Sequence, residues 1–291
     1  MIDPTGYTYC HEHLYIDLST QKGDVDCHLN QQALICEEMN ELMARGVKNI
    51  VEVTNVFMGR NPQFIEEIMK ETGINVLMST GFYIEGFFPP ELYQMNEREI
   101  AKGMIRELND GIEGSDLKAS LIGEIGSSDG VFTETEKKVF RAAAIAQIET
   151  GRPISTHQSM STMGRDQIEL LRHCGADLEK VTVGHCDLKD NFDHLLWMLD
   201  QGCFLQFDTI GKNSYYPDEQ RAVSIEKLCQ RGYASQLMLS MDVTRRSHLK
   251  ANGGLGFCYL VDTFVPLLKE QGVTEHHINT MLKINPAYLF S

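Results

Sequence analysis

Polar and apolar positions along the chain fall into two rhythms that take turns. Short β-branched or apolar runs at residues 7–13, 49–54, 75–80, 119–125, 153–157, 181–186, 204–208 and 237–241 read as strands. Between them, apolar residues recur at helical spacing. Leu34 with residues 36–39 and 42–43 forms one such face, stopped at Arg45-Gly46. Phe64, Ile65, Ile68 and Met69 form the next, stopped at Thr72-Gly73. Ile100, Met104, Ile105 and Leu108 follow, then residues 139–148 running into Gly151, then Leu170-Leu171, residues 195–199 and residues 225–228. The tail, residues 263–268 and 275–282, reads as closing helices.

Strands alternating with helices predict an α/β fold with a parallel sheet and crossover connections. Eight strands are the number that closes a (β/α)8 TIM barrel, which typically takes ~250 residues. A doubly wound open sheet is the competing layout, but no GxGxxG turn follows the first strand. The expected arrangement is one barrel domain over residues 1–291, with its functional groups at the C-terminal ends of the strands.

Charge and cysteine content narrow the partners. Lys+Arg number 26 against 41 Asp+Glu, a formal net charge of −15. That balance argues against nucleic acid or an anionic membrane, since binding phosphate needs a basic face. No apolar run approaches the ~20 residues of a membrane span. The N-terminus lacks the basic and apolar regions of a signal peptide. The eight cysteines are scattered without a CxxC pair, which reads as reduced, mostly buried thiols in a cytoplasmic protein.

The strand ends carry the unusual residues. The first ends in His11-Glu12-His13, where a strand period of two puts both histidines on one face and turns Glu12 away. The fifth ends in His157, the sixth in Val183-Gly184-His185 and the eighth in Ser240-Met241-Asp242, while the fourth carries Glu124. Alone, each is a common structural residue, and a strand-end Asp is frequently a helix N-cap. Together, four imidazoles and two carboxylates make an N/O ligand set suited to zinc or a similar divalent ion. The set is too large for one tetrahedral metal and about right for two.

His11-x-His13, the single histidines His157 and His185, and Asp242 match the ligand pattern of the amidohydrolase superfamily. Within it, the stretches DPTGYTYCHEHL, GRPISTHQS, VTVGHCDLKDN, QFDTIGKNSYYPDE and LSMDVTRRSHLKANGG resemble the phosphotriesterase-related family over the full length of the chain. The resemblance implies that His11, His13 and Asp242 hold a more buried metal and His157 and His185 a more exposed one. Phosphotriesterases of the family bridge their metals with a carboxylated lysine on strand 4. Here the only lysine of that strand, Lys118, stands at its wrong end, and Glu124 is the expected bridge. This departure puts efficient phosphotriester hydrolysis in doubt, though not the metal site.

The implied chemistry is hydrolysis by a metal-bridging hydroxide, with two divalent ions, expected to be Zn2+, lowering the pKa of water and Asp242 accepting the proton. Cys186, beside His185, is then structural. Substrate choice falls to the loops. Tyr83 resembles the tyrosine that lactonases of the family aim at the lactone, with packing as the plainer reading. Lys212, Arg245 and Arg246 concentrate positive charge after strands 7 and 8, where barrels often bind phosphate. The leading expectation is cleavage of a carboxylic ester, a lactone, on a small-molecule substrate carrying an anionic group. An amidase of an acylated amino acid or amine, a weak phosphotriesterase and a metal-stabilised binding protein are the alternatives. The aromatics at Phe87-Phe88 suit either a pocket wall or a homo-oligomer interface.

Overall fold

The computed structural model describes residues 1–112 and 114–291. Eight parallel strands follow one another in sequence order around a single sheet: β1 (Tyr7–Glu12), β2 (Val47–Glu52), β3 (Asn75–Thr80), β4 (Ala119–Ser127), β5 (Ile154–Gln158), β6 (Val181–Val183), β7 (Phe204–Phe207) and β8 (Leu237–Leu239). Helices α1 (Gln32–Ala44), α2 (Pro62–Thr72), α3 (Glu97–Asn109), α4 (Glu134–Thr150), α5 (Gly164–His173), α6 (Phe192–Leu199) and α7 (Asp218–Gln230) fill the seven crossovers. This is a (β/α)8 barrel.

Local chemistry sets the helix ends. Asn96 with Glu99 and Thr133 with Glu136 form reciprocal capping boxes at the starts of α3 and α4. Gly73 and Gly151 close α2 and α4 in the left-handed conformation, with φ of 81° and 69°. The strands are buried on both faces, as a parallel sheet wrapped in helices requires.

Two apolar layers result. The outer one lies between strands and helices. The inner one gathers Cys10, Val51, Val53, Leu77, Leu121, Phe204 and Met238 from six strands or their ends, and Leu289 and Phe290 of the C-terminal helix pack against it. That helix (Asn285–Leu289) follows Val265–Glu270 and Glu275–Asn279; π-helical turns lead into the first (Leu260–Phe264) and the last (Thr280–Ile284) of the three, where two regular helices were expected.

Two β-bulges decide what reaches the barrel mouth. Strict alternation from Cys10 would turn His11 outward, but the β1–β2 register slips between Tyr9 and Glu12. The β4–β5 register slips likewise between Ile122 and Ile125, so Glu124 turns inward although Leu121 already faces the interior. A bulge inserts the one extra residue that re-aims a side chain. At Gly123, φ is +131° and a Cβ would collide with the Ser155 carbonyl, so only glycine permits this approach of β4 to β5.

Between β1 and α1 the chain makes an excursion that its apolar pattern does not announce. A short antiparallel ribbon, Ile16–Asp17 with His28–Leu29, frames a one-turn helix at Ser19–Lys22. Among the described residues no helix is long and apolar enough to cross a membrane. All eight cysteines are unpaired, and all but Cys174 are buried.

Candidate metal centre

Glu124 stands at the centre of the strand-end cluster. Its Oε2 lies 3.0 Å from His157 Nδ1, 3.4 Å from His11 Nε2 and 3.8 Å from His185 Nε2, and its Oε1 lies 3.5 Å from His13 Nε2. Asp242 Oδ1 is 3.2 Å from His13 Nε2 and 3.8 Å from His11 Nε2. All six groups are buried. The structure therefore draws the six strand-end residues into one cluster around a carboxylate. Three subsets have ligand atoms close enough to share an ion: His11, His13 and Glu124; His11, His185 and Asp242; and Glu124, His157 and His185.

Each imidazole is oriented by its second nitrogen. His13 Nδ1 donates to Thr54 Oγ1 at 2.6 Å, since the Thr54 hydroxyl itself donates to the Tyr15 carbonyl. His11 Nδ1 faces Gln206 Oε1 at 2.9 Å, and His185 Nδ1 faces Asp208 Oδ1 at 2.8 Å. His157 is turned the other way: its Nε2 meets Ser159 Oγ at 3.1 Å and the Tyr83 hydroxyl at 3.2 Å, leaving Nδ1 toward Glu124. Tautomers set in this fashion point four lone pairs at one small volume, the arrangement that outer hydrogen bonds impose on metal-binding histidines.

The donor set fits divalent metal by two further observations. His11 Nε2 is buried without a hydrogen-bond partner, although buried polar groups are normally paired. And five carboxylates are buried together (Glu12, Glu52, Glu124, Asp208 and Asp242). Among the described residues one ammonium, Lys212, contacts them, an imbalance that bound cations would offset.

The ionisation of the cluster follows from these contacts. Burial works against the charge on Glu124, yet His11 and His157 outweigh it and hold the carboxyl well below the usual range. Asp242 is likewise held well below it, burial being overcome by Lys212 and by the hydrogen bond with His13. Burial, with His185 beside it, pushes His157 down to about 4, so its imidazole is neutral near pH 7. Burial lowers His185 too, but Asp208 more than reverses this and raises it.

Above the cluster opens a cavity of about 680 Å³. Its lining mixes apolar side chains, among them Tyr83, Ile84, Phe87, Met160 and Leu188, with polar ones, among them Lys212, Asn213, Ser214, Arg245, Ser247 and His248. Tyr83 stacks edge-on against His157 and against Phe87, with centroids 4.6 and 5.2 Å away. Phe87 lines the cavity and Phe88 is buried.

The basic loop residues differ from expectation. Lys212 Nζ is bound to Asp242 Oδ2 instead of standing free. Arg245 lines the cavity but donates to Asp24 Oδ2 at 2.8 Å. Arg246 is outside the lining: its Nε donates to the His28 carbonyl at 2.6 Å and its Nη2 to Asn30 Oδ1 at 2.9 Å. It braces the ribbon, as neighbouring Arg245 and Ser247 hold Asp24 and Asp26 of the same excursion. Lys22, on the one-turn helix, lines the cavity, and no sequence pattern pointed to it. His248 lies in a segment already notable for its charge; its Nδ1 accepts from the Thr244 N–H at 3.2 Å.

Comparison with known proteins places the chain in a family. The model of the phosphotriesterase family matches residues 1–290. The phosphotriesterase homology protein of Escherichia coli is 56% identical over 99% of both chains. Its crystal structure, complexed with phosphate in the active site, superposes with a TM-score of 0.99 over 100% of each chain. A lactonase from Listeria monocytogenes superposes at 0.93 with 27% identity, over 100% of this chain and 96% of that one. An N-acetyltaurine hydrolase from Dictyostelium discoideum is 30% identical over 95% of this chain and 78% of its own length. The chain belongs to the phosphotriesterase family of metal-dependent hydrolases.

Proposed function

We propose that residues 1–291 form one catalytic unit, a dinuclear zinc hydrolase that opens a lactone bearing an anionic group in the reducing cytoplasm. The observation that carries this reading is the position of Glu124, within 4 Å of a nitrogen on each of four histidines. His11, His13 and Asp242 would hold one ion and His157 and His185 the other, with Glu124 between them. When bound, two such ions supply hydroxide near neutral pH and polarise the scissile carbonyl.

The chain's own groups supply the rest. Asp242 presents Oδ1 to the histidines and Oδ2 to the cavity side, where Lys212 meets it. Oδ2 is the oxygen placed to take the proton and return it to the leaving alkoxide. The Tyr83 hydroxyl, 3.2 Å from His157 Nε2, belongs to the cavity lining beside Phe87, where the ring of a lactone would rest. Arg245 and Lys22 also line the cavity and would receive the substrate's anion. The phosphate in the active site of the E. coli relative supports an anion here. Eight unpaired cysteines support a reducing compartment.

A second reading is favoured by the N-acetyltaurine hydrolases among the relatives: cleavage of an N-acyl amine that carries an anion. One panel separates the two. Phosphorylated and neutral lactones and anionic N-acyl amines are offered to the zinc-loaded protein and to Arg245→Ala. Turnover of phosphorylated lactones is expected, with Arg245→Ala raising KM about tenfold or more for those alone, the usual effect of losing a charge-assisted hydrogen bond. Turnover of N-acyl amines alone establishes the second reading. An equal effect on neutral lactones removes the anion from the proposal, and no turnover of any class leaves a binding protein.

A further inference from the structure

Glu12 lies between two of the clustered histidines yet does not line the cavity, and it is fully buried. Its carboxylate crosses the seam where the barrel closes. Oε1 accepts from the Ser240 hydroxyl at 2.7 Å and from the Met241 N–H at 2.7 Å, and Oε2 accepts from the Val243 N–H at 3.0 Å. Those two amides flank Asp242. The β8 ladder ends at Leu239, so neither amide has a strand partner, and an unpaired buried N–H is costly. Asp242 itself has φ of +51°, a left-handed conformation that a non-glycine residue keeps only where its surroundings enforce it. The Ser240 hydroxyl in turn accepts from the His11 N–H at 3.1 Å, and the Asp242 N–H donates to the His11 carbonyl at 3.3 Å.

We infer that Glu12 is a positioning residue: by bonding the amides on either side of Asp242, it holds the left-handed turn that aims this carboxylate at His11 and His13. It therefore governs how tightly the ion shared by those three residues is held. This role rests on the ligand set proposed above. The carboxylate is the acceptor that closes the seam, and no neutral side chain of its size offers two acceptor oxygens.

The test uses full-length protein stripped of metal and titrated with zinc, as wild type, Glu12→Gln and Glu12→Asp. Glutamine keeps the size but sets an N–H against one of the two amides. Aspartate keeps the charge but is one methylene too short to span both. Both variants are expected to weaken one zinc step by about 10–100-fold, the usual cost of losing an outer-shell partner, and to leave the other step unchanged. Wild-type affinity in both, with only a lower melting temperature, makes Glu12 a structural staple and overturns the inference. Wild-type affinity in Glu12→Asp alone assigns the effect to charge and overturns it too. Should these variants fail to fold, Ser240→Ala removes one of Glu12's three bonds, together with the bond from the His11 N–H to the same hydroxyl. It is expected to weaken the same step by a smaller factor, and an unchanged step counts against the role. A wild-type chain that takes up no zinc defeats the ligand set instead.

Discussion

Asp242→Asn is expected to lower kcat by about 10²–10⁴-fold on any substrate the protein turns over, the range seen when a positioned acid–base group is lost. Asparagine has the shape of aspartate, so the bonds from Glu12 to the flanking amides survive and the fold should persist. What disappears is the charge. Oδ2 is held ionised by Lys212 and Oδ1 faces two histidines, so the neutral amide can neither take a proton nor balance the ammonium beside it. The check is a kcat and KM measurement on protein whose melting curve and metal content are measured in parallel. Excess zinc distinguishes the two contributions: restored metal with a persisting loss of kcat isolates the proton-accepting role. An undiminished rate removes Asp242 from the chemistry.

Glu124→Gln is expected to be at least as damaging, and through metal uptake. The side chain is 2% exposed and faces four imidazoles, so the substitution deletes the one negative charge common to them all. Breaking a buried charge pair costs about 3–5 kcal/mol, a loss in affinity of some 10²–10³-fold. Elemental analysis should find the variant depleted after dialysis against a weak chelator that leaves the wild type loaded, with activity lost in proportion. A variant that keeps wild-type metal and rate makes Glu124 a barrel-lining residue and removes the bridge.

The barrel is readable in the sequence because parallel strands buried on both faces leave continuous apolar runs. Helices that are half buried leave a different period between them. Those signals mark β1 to β8 and α1 to α7 in order. They fail at the strand ends. The runs at 181–186 and 237–241 suggest strands that reach His185 and Asp242, yet the ladders stop at Val183 and Leu239. Both residues lie beyond, in left-handed turns with φ of 52° and 51°. A hydrophobicity pattern carries no record of such a turn, nor of the bulges at Tyr9–Glu12 and Ile122–Ile125 that bring His11 and Glu124 inside.

The members of the cluster were legible because four imidazoles and two carboxylates together at the ends of buried strands are unusual, though each alone is common. Substrate-facing residues were not, because loop charge has no period. Lys212, Arg245 and Arg246 look alike in sequence, but one meets Asp242, one meets Asp24 at the cavity and one braces the ribbon. The alternation rule reads Glu12 as turned away from the histidines, and in the plane of the sheet it is. Away, at a barrel seam, means toward the backbone on either side of Asp242.

The chemistry proposed for the barrel mouth depends on the cluster being a metal centre. The most direct measurement is elemental analysis of the purified protein, as isolated and again after zinc is added to metal-stripped protein. The geometry predicts about two divalent ions per chain, one held more weakly on removing Glu12's bonds to the Asp242 turn and both weakened in Glu124→Gln. A folded wild-type chain that takes up none, or that binds one ion indifferent to Glu124, contradicts it.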